Sequence, residues 1–176
     1  KLFWAPMLQK KQLAAKHPIA KNLGYVIFLQ GGTVDASEAQ ANKNLKTTIL
    51  AKSSEKSWVQ SKDIQLYPNM QAPIDRSIEK SENLAVLIEG KFPSAFDKSP
   101  TKQENKETGI SANTHISQGT QNGKLFVVNT SFITSNQLVD PECSEPVAMF
   151  VRNAIDYMNG NEDLCTMRTK GLVLNT

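Results

Sequence analysis

A chain of 176 residues, 39% hydrophobic and 21% charged, is long enough to bury a core without covalent staples. Both fractions fall somewhat below ordinary globular usage, so part of the chain stands outside that core. Its 20 cations and 17 anions leave a net charge of +3, with no basic run and no aromatics interleaved among the lysines, which argues against nucleic acid as a partner. Two cysteines, Cys143 and Cys165, and two histidines, His17 and His115, are too few and too scattered for a structural zinc site. The helix expected between the two cysteines would hold them about 20 Å apart at ~1.5 Å per residue, so two free, partly buried thiols are expected in place of a disulfide. No stretch approaches the ~20 apolar residues of a membrane span, and Lys1 reads as an internal position of something longer.

In chain order, Leu2, Phe3, Trp4 and Pro6 precede a helical turn expected over residues 7–16, closed by His17-Pro18. His17 is weighed as a ligand or base and read as a structural corner. Tyr25-Val-Ile-Phe-Leu29 is rich in β-branched and aromatic residues, and it reads as a buried strand stopping at Gly31-Gly32. The two glycines lack the further glycines and immediate helix of a phosphate-binding loop, and they read as a plain turn. Leu45-Lys-Thr-Thr-Ile-Leu-Ala51 alternates polar and apolar, as a strand near an edge does. Trp58 follows in a polar loop, either plugging that loop onto the core or stacking on a ligand. Breakers dominate residues 61–82, with one helical turn expected near 75–80.

Leu84-Ala-Val-Leu-Ile-Glu89 is apolar on both faces and predicts a central, doubly covered strand. Residues 97–123 then fall to Lys, Glu, Ser, Thr, Asn, Gln and Gly, a composition that cannot offset its ordering entropy by burial. This reads as a long polar loop, an insertion and not a lid, with order returning at Asn122-Gly123. Residues 125–128 form the last strand, and 131–138 a short helix or wide turn. A helix is expected over 146–159, capped by Ser144 or Glu145, with Pro146 in its first turn and Gly160 at its end. Its apolar face is read as Val147, Phe150, Val151, Ala154, Ile155 and Met158, with Leu164 packing back beneath the helix end. Together these make an α/β layered sheet with helices packed on it, Rossmann- or flavodoxin-like in general character, as one domain fragment over 1–176.

The enzyme reading the residues offer is Ser131 as a nucleophile at a strand-to-helix turn, with His115 and Asp140 as partners. A nucleophile elbow needs glycines two positions either side, where this chain has Asn129 and Ile133, and its histidine would come from the polar loop. Cys165 has no histidine tied to it by motif. Asn129-Thr-Ser131 is formally a glycosylation sequon. No catalytic, cofactor-binding or metal residue is expected. Two alternatives stand beside that reading: a hydrolase using Ser131, and a glycan- or small-ligand-binding module around Trp58.

Five stretches, in order, resemble a known family. They are Trp4-Ala-Pro6 with His17-Pro-Ile-Ala-Lys-Asn-Leu23, Thr47-Thr-Ile-Leu50 with Ser53-Ser and Ser57-Trp58, and Leu84-Ala-Val-Leu-Ile-Glu-Gly-Lys-Phe-Pro-Ser-Ala-Phe96. The others are residues 124–135 and Phe150-Val-Arg-Asn-Ala-Ile-Asp-Tyr-Met-Asn-Gly-Asn-Glu-Asp-Leu164. The chain in this respect is similar to the auxiliary component of a bacterial ABC-type transport system, the gliding-motility GldG-like group. The resemblance implies a non-catalytic extracytoplasmic, periplasmic region of an inner-membrane protein, partnered with ABC permease and ATPase subunits. It also implies a further α/β domain before this segment, a membrane helix after it, and no family active-site residues to carry over.

Overall fold

The computed structural model describes residues 2–68, 71–98 and 115–170. Among the described residues there are three α-helices and five strands, the strands forming two separate antiparallel sheets. The first sheet pairs β1 (Met7–Gln9) with β2 (Tyr25–Ile27), Leu8 facing Val26 across the ladder and both fully buried. The second has the order β3 (Leu45–Lys52), β4 (Asn83–Gly90), β5 (Gly123–Val128).

The mixed α/β class is the one the composition pattern implies. The expected strands do not all join one sheet, because Tyr25–Ile27 finds its partner in β1, a segment whose pattern had suggested a helical turn. Leu8 alone of its three residues is buried, the alternation a strand requires and a helix does not give. Every ladder among the described residues is antiparallel, so the parallel, doubly wound arrangement of a Rossmann-like layer is not formed.

β4 sits at the centre of the larger sheet and is covered on both faces. Ala85 and Leu87 look toward the main core, which takes in Leu50, Val147, Phe150 and Ala154, with Phe126 and Val128 packed against it. Val86 and Ile88 look the other way, into a smaller cluster with Ala36, Val34, Leu45 and Ile49. Helix α1 (Ser37–Ala41) brings Ala39 to that second face. The outer strands are partly exposed, as the half-polar alternation of residues 45–51 anticipates.

Helix α2 (Pro146–Met158) lies on the main face, with Pro146 in its first turn and Glu145 at the cap position. Its buried residues are Val147, Ala148, Phe150, Asn153, Ala154 and Tyr157, while Ile155 is 50% and Met158 37% exposed. The stripe is thus turned by about one position from the apolar face read in the sequence. Two polar anchors set that rotation: Asn153 Nδ2 donates to the Ile19 carbonyl at 3.2 Å, and the Tyr157 hydroxyl donates to Glu89 at 3.0 Å. Gly160 ends the helix at φ +82°, and α3 (Glu162–Lys170) then folds back against α2. Cys165 and Thr169 are the buried residues of α3, whereas Leu164, expected to pack beneath the helix end, is 44% exposed.

The ends of the polar loop continue the β4–β5 hairpin. Ser94 N donates to Ser117 O and Gly119 N to Phe92 O, both at 2.8 Å, so hydrogen-bonded pairing extends beyond Asn122-Gly123 to Ser117. Residues 99–114 of the expected loop lie outside the described residues.

Candidate functional site

The register of the larger sheet collects one row of charges. Lys46 faces Glu89 across β3 and β4, and Glu89 faces Lys124 across β4 and β5. A carboxylate flanked by two ammonium groups on one face is the favourable cross-strand order. Lys46 Nζ lies 4.0 Å from Glu89, and Lys124 Nζ donates to the Tyr157 carbonyl at 2.7 Å. That carbonyl belongs to the last turn of α2, where a cation also meets the negative end of the helix dipole. The same ammonium stands 4.3 Å above the Tyr157 ring.

His17 completes the group. Its ring packs against Tyr157 with centroids 4.7 Å apart, and Nδ1 accepts from Ile19 N at 3.3 Å, which assigns the proton of the neutral ring to Nε2. The backbone is a tight corner, with His17 N donating to Ala14 O and the His17 carbonyl accepting from Ala20 and Lys21. The structural corner read at His17-Pro18 is the one observed. Beside it opens a shallow cleft of about 450 Å³ lined by Ala14, Lys16, His17, Lys46 and Thr48 among others.

Burial holds the His17 imidazole below its ordinary value, opposed by the neighbouring Glu89 charge. Burial first, then the hydrogen bond to Glu89, pushes the Tyr157 phenol up to about 12. At neutral pH the pair is therefore a neutral imidazole against a protonated phenol whose proton is committed to a carboxylate. This arrangement fixes the C-terminal end of α2 to the sheet. A phenol so reluctant to ionise does not serve as a base. Sequence reading missed Lys46, Glu89, Lys124 and Tyr157 as a group, although each strand residue sits at the same alternation parity. Only the register shows that three separate strands place them in one row.

The residues singled out as a triad lie apart. Ser131, exposed, opens a short 3-10 helix, Ser131–Thr134, just beyond Val128, while His115 precedes the Pro93–Gln118 bridge past Gly123, at the other end of β5. The six residues of β5 span about 17 Å at ~3.4 Å per step, far beyond hydrogen-bond reach. The Asp140 carboxylate is engaged with the Ser144 hydroxyl at 3.3 Å and caps its own turn. Among the described residues no hydrogen bond joins Ser131 to His115 or Asp140.

Asn129 and Thr130 instead hold the glycine turn. Gly32 N donates to the Asn129 carbonyl at 2.7 Å, Asn129 Nδ2 donates to Thr33 O at 2.9 Å, and the Thr130 hydroxyl donates to Leu29 O at 2.6 Å. A Cβ on Gly32 would come within 2.5 Å of the Asn129 amide, so close packing explains the glycine where a phosphate cradle had been weighed. Cys143 and Cys165 are both free thiols, and burial raises the Cys165 thiol above its ordinary value, an inert setting for a nucleophile.

Trp58 is half-buried, its ring tilted against Phe3 with centroids 5.0 Å apart. It also lines an open cavity of about 420 Å³. Among the described residues no helix is long and apolar enough to cross a membrane, and no group of three or more His, Cys, Asp and Glu is placed to hold a metal ion.

No curated protein and no solved structure matches the chain. The model of one family, described as an ABC-type uncharacterized transport system, matches residues 2–166. That span takes in both sheets, the charged row, the Trp58 cavity and α2, so the chain belongs to the ABC transport auxiliary family.

Proposed function

We propose that this chain is a non-catalytic, extracytoplasmic domain of the auxiliary subunit of a bacterial ABC transport system. In this reading it is the C-terminal part of that subunit's extracytoplasmic region, of the GldG-like kind associated with gliding motility, and residues 1–176 act as one unit. It works beside the permease and ATPase subunits through protein contacts or ligand handling, held at the membrane by segments outside this sequence. The observation that carries the reading is the family match over residues 2–166. The separation of Ser131 from His115, with the Asp140 carboxylate engaged by Ser144, supports it, because the arrangement the residues offered for hydrolysis is not assembled.

The test is co-expression of the full-length subunit with the permease and ATPase encoded beside it, followed by affinity purification from membranes. Recovery of the three together is expected. A serine-reactive probe run in parallel is expected to leave the chain unlabelled. Specific labelling that disappears in Ser131→Ala would replace this reading with a hydrolase.

A further inference from the structure

Between β3 and the 3-10 turn Arg76–Ile78 the described residues form no helix or strand, and several of them line the cavity of about 420 Å³ beside Trp58. That volume falls within the ~300–1,000 Å³ of small-molecule sites. We propose that this cavity is a binding site for a neutral saccharide, with a sugar ring laid against the Trp58 indole.

The wall chemistry is the argument. Trp58 and Ile78 supply apolar surface, and the polar side chains are three amides, Gln60, Gln65 and Gln71, with one carboxylate, Asp63. Among the described residues no cation lines the cavity, so a phosphate or carboxylate ligand would meet Asp63 with nothing there to compensate it. Amides carry donors and acceptors together, as sugar hydroxyls do, and hydroxyls left without partners on binding would cost affinity. The C–H face of a pyranose is apolar and edge-positive, which suits the electron-rich face of an indole. A purely hydrocarbon ligand would use Trp58 and Ile78 but leave the amides unpaired.

The site is also held in shape by contacts of its own. Gln60 Nε2 donates to the Lys62 and Asp63 carbonyls, both at 3.1 Å, fixing the turn in which Asp63 adopts φ +51°. Lys80 N donates to Ser57 O at 2.8 Å, tying the residue before Trp58 to the far side of the segment. Phe3 braces the indole ring itself. Preorganisation of this kind lowers the ordering cost of binding.

This inference is independent of the transport reading: loss of either leaves the other in place. The experiment follows the two tryptophan indole N–H signals of the ¹⁵N-labelled chain by NMR, with the Trp58 signal assigned through Trp58→Phe. The probes are glucose, N-acetylglucosamine, cellobiose and chitobiose, with sodium phosphate, acetate and a leucine-rich peptide as comparisons. At least one saccharide is expected to shift the Trp58 signal saturably while the Trp4 signal stays in place. Asp63→Ala and Gln71→Ala, at rim positions that leave the Phe3 contact intact, are each expected to weaken that binding about tenfold with unchanged circular dichroism. The proposal is overturned by the absence of a saturable shift with all four sugars, by affinity indifferent to both rim variants, or by saturation with an anion or the peptide instead.

Discussion

Gly90 shows most sharply how a single residue can be dictated by backbone geometry. It closes β4 at φ +137°, and a Cβ there would lie 2.2 Å from the Asn44 carbonyl oxygen. Gly90→Ala is therefore expected to lower stability by about 2–3 kcal/mol, combining strain with a forced shift of the β3 entry, as urea denaturation would measure. A second residue-scale consequence concerns pH. His17 is held below its ordinary 6.5, so the unfolded chain takes up that proton first, and stability from this group is whole above about 6.5 and declines as the pH falls below it. Tyr157 runs the opposite way: its contribution is whole below the ordinary 10.0 and is lost as the pH rises through about 12. Denaturation midpoints measured across pH should show both arms, and Tyr157→Phe should remove the alkaline one. None of this was visible in the sequence. Gly90 follows the Leu84–Glu89 strand pattern with no local sign of that contact, and Tyr157 lies one position off the apolar face assigned to its helix.

At the scale of elements, the largest single contribution on α2 is Phe150. It is fully buried and meets Phe28 and Phe126 edge-on, with centroids at 6.2 and 5.7 Å. Phe150→Ala should cost about 3–5 kcal/mol in urea denaturation, whereas Ile155→Lys, on the 50% exposed flank, should stay within about 0.5 kcal/mol. Equal losses from the two would contradict the observed rotation of the helix. That pair of residues also marks the limit of pattern reading. Periodicity located α2, its proline start and its glycine stop, because those depend on local chemistry. It could not say which of two adjacent stripes turns inward, because Asn153 and Tyr157 are drawn in by Ile19 and Glu89, partners more than sixty positions away. For the same reason the local pattern of residues 7–9 suggests a helical turn, since nothing local reveals that Tyr25–Ile27 pairs with them. The charged row and the Trp58 cavity are likewise products of register and loop path. Trp58 itself was legible as a stacking candidate, but the three glutamines around it were not.

Across the whole molecule, the two antiparallel sheets and the helices α2 and α3 use their polar contacts chiefly to fix elements against one another. Asn129 and Thr130 fasten the Leu29–Thr33 passage, Asn153 fastens Ile19, and Lys124 with Glu89 fastens the end of α2. The central strand carries one more consequence. β4, the middle strand of the larger sheet, sends fully buried side chains into both apolar clusters, through Leu87 on one face and Val86 on the other. A fluctuation that bares its amides must therefore break both clusters at once. The strand's N–H groups should be the last to trade hydrogen for deuterium, at the rate set by global unfolding. By that clock β4 marks the unit that survives until the whole chain opens.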